Sequence, residues 1–130
     1  MEKTGATILC VDDEENQLVL RKLVLEREGY RVLTASSAAG AIEMIRSEPI
    51  DLVIVDYYMP GMNGLALARQ LRESRKVPIV VLSAFAELPG EAIGTADTWI
   101  TKGISSSELV AKLEELLSRA KAFRAAEGAT

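Results

Sequence analysis

Apolar residues fall in short unbroken runs, separated by longer segments of mixed polarity. Thr7-Ile8-Leu9-Cys10-Val11 stops abruptly at Asp12-Asp13, which predicts a buried strand. Glu14 to Glu28 predicts a helix with Leu20, Leu23 and Val24 on its inner face and Gly29 as its stop. Tyr30 to Ala35 predicts a second strand, and Ser36 and Ser37 cap a helix running to about Arg46. A third strand, Asp51 to Val55, follows Pro49; a loop spans Asp56 to Gly64; a third helix covers Leu65 to Ser74. Pro78 to Leu82 is a fourth strand. Pro89, Gly90 and Gly94 keep the fourth helix, within Glu87 to Ala96, short or loose. Thr98 to Thr101 is the fifth strand. Ser105 and Glu108 form a capping box for a last helix with Leu109, Leu113, Leu116 and Leu117 on its apolar face. Arg119, Lys121 and Arg124 suit the negative end of that helix.

Strands that read as continuous apolar runs imply a parallel sheet covered on both faces. With right-handed crossovers, the five strand–helix alternations give an α/β fold: an open, doubly wound five-stranded parallel sheet. One domain over residues 1–125 with a frayed tail at 126–130 accounts for the chain. Such sheets bind ligands at the carboxyl ends of their strands.

Composition narrows the chemistry. The chain has 130 residues, 48% apolar and 26% charged, which excludes a disordered polypeptide. No apolar run approaches the ~20 residues that span a bilayer. Met1 to Gly5 opens without the apolar core of a signal peptide, so a cytoplasmic, membrane-free protein is expected. A net charge of −4 argues against direct nucleic-acid binding. Histidine is absent, which excludes Ser-His-Asp and Cys-His catalysis, His-ligated zinc, and a phosphohistidine on this chain. The single Cys10, inside an apolar strand, reads as a small buried hydrophobe.

The polar residues at the strand ends are the candidate site. The first strand delivers Asp12 and Asp13, the third Asp56, the fourth Ser83 and the fifth Lys102. Crowded carboxylates repel, so one takes a proton or a cation binds. Oxygen ligands with open positions suit Mg²⁺. An ionised Asp56 beside such an ion is a competent nucleophile toward phosphorus. Mg²⁺, the Lys102 ammonium and the Ser83 hydroxyl would then each meet one oxygen of a phosphoryl group.

The chain resembles the receiver domains of bacterial two-component response regulators, from Thr7 to about Ala120. The likeness rests on Asp12-Asp13, on Asp56-Tyr57-Tyr58-Met59-Pro60-Gly61-Met62-Asn63-Gly64, on Leu82-Ser83-Ala84 and on Lys102. It implies a flavodoxin-like strand order 2-1-3-4-5 and a phosphoprotein modified on Asp56. Asp13, Asp56 and the Tyr58 backbone carbonyl would ligate Mg²⁺, with Asp12 acting through water. Ser83 and Lys102 would hold the phosphoryl oxygens. The donor would be a histidine kinase or histidine phosphotransfer protein; an output domain or protein would follow, in a monomer or a weak phosphorylation-dependent dimer. Phosphorylation would draw in Ser83 and turn Trp99 inward, remodelling the face of the fourth helix, fifth strand and fifth helix. Such a domain acts on itself and is not a turnover enzyme.

Gly103 stands where the family carries a cis proline, which implies a trans peptide here, with glycine absorbing the altered path. Tyr58 and Phe85 would flank the hydrolytic water and lengthen the phosphoryl lifetime. Two other readings remain: a receiver-like interaction module that is never phosphorylated, and a haloacid-dehalogenase-type phosphatase. The second lacks its acid/base aspartate, since Tyr58 occupies that position.

Overall fold

The structure is a computed structural model that describes residues 5–59, 62–84 and 98–128. Five strands form one parallel sheet: β1 (Thr7–Val11), β2 (Arg31–Ala35), β3 (Leu52–Asp56), β6 (Ile79–Ser83) and β7 (Thr98–Thr101), in the order β2-β1-β3-β6-β7. This is the expected 2-1-3-4-5 arrangement, with the first reversal of direction between β1 and β3. A small antiparallel pair, β4 (Tyr58–Met59) and β5 (Met62–Asn63), occupies the predicted loop after Asp56. The helices are α1 (Glu15–Arg27), α2 (Ala38–Ser47), α3 (Gly64–Ser74) and α4 (Ser106–Gly128). Helix α4 is the fifth helix of the sequence reading. The predicted fourth helix and Phe85 lie outside the described residues.

Strand alternation divides the core in two. In β3, Leu52 and Ile54 join a cluster with Leu18 and Leu25 of α1 and Val110 and Leu113 of α4. Val53 and Val55 join the opposite cluster, with Ile45 of α2 and Leu67 and Leu71 of α3. Strands β1, β3 and β6 are buried along their whole length, as a sheet covered on both faces requires. Cys10 is fully buried, and burial pushes its thiol up to about 12, so it is an inert core residue.

The caps follow the sequence. Ser37 Oγ accepts the Gly40 N–H at 3.1 Å and starts α2. Ser105 Oγ accepts the Glu108 N–H at 3.1 Å and donates to the Glu108 carboxylate at 3.2 Å.

Two expectations are corrected. The inner face of α1 is Leu18 and Leu25, whereas Leu20 and Leu23 are 60% and 55% exposed and Val24 is half-buried. Residues 18, 21 and 25 share one helical face, so Arg21 lies on the inward side. Helix α4 continues to Gly128, so the tail expected to fray from 126 is helical to that point, consistent with the good helix formers Lys121, Ala122, Arg124, Ala125, Ala126 and Glu127. Arg119 therefore lies within the helix and pairs with Glu115 at 2.6 Å, four residues back. The trans peptide expected at Gly103 is borne out: the described peptides are all trans, and Gly103 has no positive φ. The loop after Lys102 thus does not use glycine's left-handed freedom.

Candidate functional site

The sheet itself positions the strand-end residues. Its hydrogen bonding continues past the strands: the Asp12 N–H donates to the Ala35 carbonyl at 3.2 Å, the Tyr57 N–H to Leu82 at 2.8 Å and the Lys102 N–H to Ser83 at 2.8 Å. Asp12, Asp56 and Lys102 therefore sit on or beside backbone held by the sheet's own hydrogen bonds, which is what a preorganised site needs. Helix α3 starts against the same segment. The Gly64 N–H donates to the Tyr57 carbonyl at 3.3 Å, and a Cβ on Gly64 would lie 2.5 Å from the Asp56 carbonyl oxygen.

Oxygens of Asp12, Asp13 and Asp56 converge within 4.8 Å of one another. Asp12 and Asp56 are 1% and 3% exposed, whereas Asp13 is open to solvent. Lys102 crosses from β7 to place Nζ 2.7 Å from Asp56 Oδ1. One Asp12 oxygen accepts the Glu14 N–H at 3.0 Å. The other, Oδ2, has no hydrogen-bond partner among the described residues and faces Arg21 Nη1 at 3.5 Å.

Burial is the main force on Asp56, and it pushes the carboxyl above its ordinary range; the charge of Asp12 pushes the same way. The Lys102 hydrogen bond, its charge and the charge of Arg21 oppose the shift. A cation placed among the three carboxylates would remove this penalty. The all-oxygen donor set, with one member open to solvent and with Asp12 Oδ2 and Asp56 Oδ1 each facing a cation and without a hydrogen-bond partner among the described residues, fits a hard ion that retains water.

The structure thus brings Asp12, Asp13, Asp56 and Lys102 together. Ser83 is buried at the end of β6, paired in register with Thr101, one residue before Lys102. Tyr58 follows in β4. Trp99 lies in β7 with its ring 5.4 Å from that of Tyr57, at 55°, and its Nε1 buried without a hydrogen-bond partner among the described residues. Sequence reasoning missed Arg21 and Tyr57. Arg21 had a partial signal, the Arg21-Lys22 pair that interrupts the apolar run Leu18 to Leu25, which does not tell the inward cation from the outward one.

A family description, the response regulator receiver domain, matches residues 8–114. This chain belongs to that family. The receiver domain is 38% identical over 124 residues to the response regulator GtcR of Aneurinibacillus migulanus, covering 93% of this chain and 51% of that protein. It is 36% identical over 119 residues to the alkaline phosphatase synthesis transcriptional regulatory protein PhoP of Bacillus subtilis, covering 88% and 49% respectively. The chain spans about half the length of the curated relatives it matches. Among solved structures it resembles the response regulator TrrA of Thermotoga maritima in complex with Mg²⁺ and BeF, with a TM-score of 0.79 and 35% identity, covering 85% of this chain and 98% of that one. A CheY-like receiver domain from Methanospirillum hungatei superimposes with a TM-score of 0.81 at 29% identity, covering 89% and 96%. Receiver domains are signalling domains. No described helix is long and apolar enough to cross a membrane.

Proposed function

We propose that the receiver domain accepts a phosphoryl group on Asp56 from a phosphohistidine donor, in a Mg²⁺-dependent reaction, and passes the change to a downstream output. The supporting observation is the convergence on Asp56 of Lys102, at 2.7 Å, and of the carboxylates of Asp12 and Asp13.

In this reading an Asp56 carboxylate oxygen attacks phosphorus while the phosphorus–nitrogen bond of the donor breaks. The electron pair leaves on the imidazole nitrogen. Mg²⁺, held by Asp13, Asp56 and the Tyr58 carbonyl, with Asp12 acting through water, would supply neutralisation of the cluster and of one phosphoryl oxygen. Lys102 moves its charge from the free carboxylate to a second phosphoryl oxygen, and the Ser83 hydroxyl donates to the third. That rearrangement releases the contact seen at 2.7 Å, and it links phosphorylation to β7, the strand that carries Trp99 and ends just before Lys102. The donor must bring its histidine up to Asp56. The exposed apolar stripe of α1, Val19, Leu20 and Leu23, is the docking surface we assign to it, because Leu20 borders one cavity with Lys102, whose ammonium contacts Asp56.

The test is incubation with Mg²⁺ and acetyl phosphate, read by intact mass. One phosphoryl adduct is expected, absent from Asp56→Asn and from protein held in chelator. No adduct on the wild type, or an undiminished one on Asp56→Asn, overturns the reading in favour of a receiver-like module that is never phosphorylated.

A further inference from the structure

Arg21 has no place in the chemistry above, yet it is the most deeply placed cation near the site. Its side chain is 9% exposed, on the inward face of α1. A guanidinium is costly to bury and stays charged, so its position needs a compensating anion. That anion is Asp12, 1% exposed, with Oδ2 at 3.5 Å from Arg21 Nη1. Neither atom has a hydrogen-bond partner among the described residues. A charge-assisted hydrogen bond closes to about 2.7–2.9 Å, so this pair is held by charge at a distance. Arg21 also shares with Lys102 the lining of a cavity of about 180 Å³ between α1 and the start of α4. Both cations therefore border one space at the carboxyl ends of the strands.

We infer that Arg21 is a positioning residue of the metal site, a resident counter-charge that acts through Asp12 to set how tightly the acidic cluster takes Mg²⁺. The inference rests on the metal-dependent reading of Asp56. Three carboxylates face two built-in cations, Arg21 and Lys102, so the metal-free cluster carries one net negative charge. A divalent ion overshoots neutrality by one. Converting Asp56 to an acyl phosphate dianion adds one further negative charge and brings the loaded site to balance. Arg21 thus weakens Mg²⁺ binding, and the added negative charge of the acyl phosphate offsets that repulsion in the loaded site. Asp12 does not depend on Arg21 for orientation, because its other oxygen is fixed by the Glu14 N–H at 3.0 Å.

The sign of the effect separates this role from a structural one. Loss of a structural support loosens a metal site; loss of a competing charge tightens it. Calorimetric titration of Mg²⁺ into Arg21→Met should show binding about tenfold tighter than in wild type, since a unit charge is removed within a few ångströms of a divalent ion. Arg21→Lys, which keeps the charge, should stay near wild type. The rise in melting temperature on Mg²⁺ saturation should be larger for Arg21→Met than for wild type. If Arg21→Met does not fold, Arg21→Gln supplies the same neutral test with a polar tip. Equal or weaker Mg²⁺ binding in the folded neutral variant overturns the inference. Wild-type protein that takes up no Mg²⁺ at millimolar concentration overturns instead the functional reading on which it rests.

Discussion

Replacing Gly64 with alanine puts a methyl group where the structure has backbone. The new Cβ would stand 2.5 Å from the Asp56 carbonyl oxygen, 2.9 Å from that of Tyr57 and 3.0 Å from the Tyr57 Cα. None of these is the end of a flexible side chain, so the backbone must move by roughly 1 Å, and overpacking of this kind costs about 1–3 kcal/mol. An opposing gain exists, because alanine is a better helix former than glycine by about 1 kcal/mol, but that figure holds for helix interiors. Gly64 is the first residue of α3, where the gain is smaller, and the overlap wins. A net loss of about 1–2 kcal/mol corresponds to a melting temperature lower by roughly 3–10 °C for a domain of this size. The displaced segment is also the acceptor strand end, and a misplacement near 1 Å can slow a positioned reaction by about a hundredfold. Thermal melts and acetyl phosphate labelling of Gly64→Ala measure the two effects. Gly103→Ala is the control: nothing lies within 4 Å of its Cβ, so neither quantity should fall. A Gly64→Ala protein as stable and as readily labelled as Gly103→Ala would refute the reasoning.

Further outcomes are expected from the site. A carboxyl whose folded pKa is raised contributes stability at low pH that is lost as pH climbs through that pKa; metal-free wild type should therefore lose stability above about pH 4, a loss that urea melts in chelator should find reduced in Asp56→Asn. Lys102→Ala removes the ammonium that would meet a phosphoryl oxygen in the proposed reaction, so phosphorylation should slow by about a hundredfold or more in the acetyl phosphate assay. Leu23→Ser replaces a side chain that is 55% exposed, so stability should stay within about 0.5 kcal/mol and acetyl phosphate labelling should be unchanged, while transfer from a phosphorylated histidine phosphotransfer protein slows; equal transfer rates count against α1 as the docking surface.

The middle of the main sheet was legible because β1, β3 and β6 are nearly unbroken apolar runs, a pattern that helices on the surface do not share. Two strands end one residue later than their apolar pattern. Asp56 and Ser83 break the run, while hydrogen bonding continues through them. The strand-end rule therefore found Asp12, Asp13, Asp56 and Lys102 as neighbours from sequence, while their roles rest on the proposed function. The inner face of α1 was not legible. Leu18, Val19, Leu20, Leu23, Val24 and Leu25 surround the helix, so hydrophobic periodicity does not single out a side. Burial of Arg21 against Asp12 accompanies the observed orientation, and this is a long-range pairing that no local pattern records. The β4–β5 pair escaped for a simpler reason: two residues are too few to establish a period.

The tilted contact between Tyr57 and Trp99 makes the acceptor segment and the edge strand one optical unit. Tyr57 follows Asp56 directly, and Trp99 is the only indole in the chain. Excitation absorbed by the phenol passes across 5.4 Å to a single emitter whose Nε1 is shielded from water. Any rearrangement that parts or reorients the two rings should change tryptophan emission with no label attached, so the protein carries its own gauge of the backbone beside Asp56.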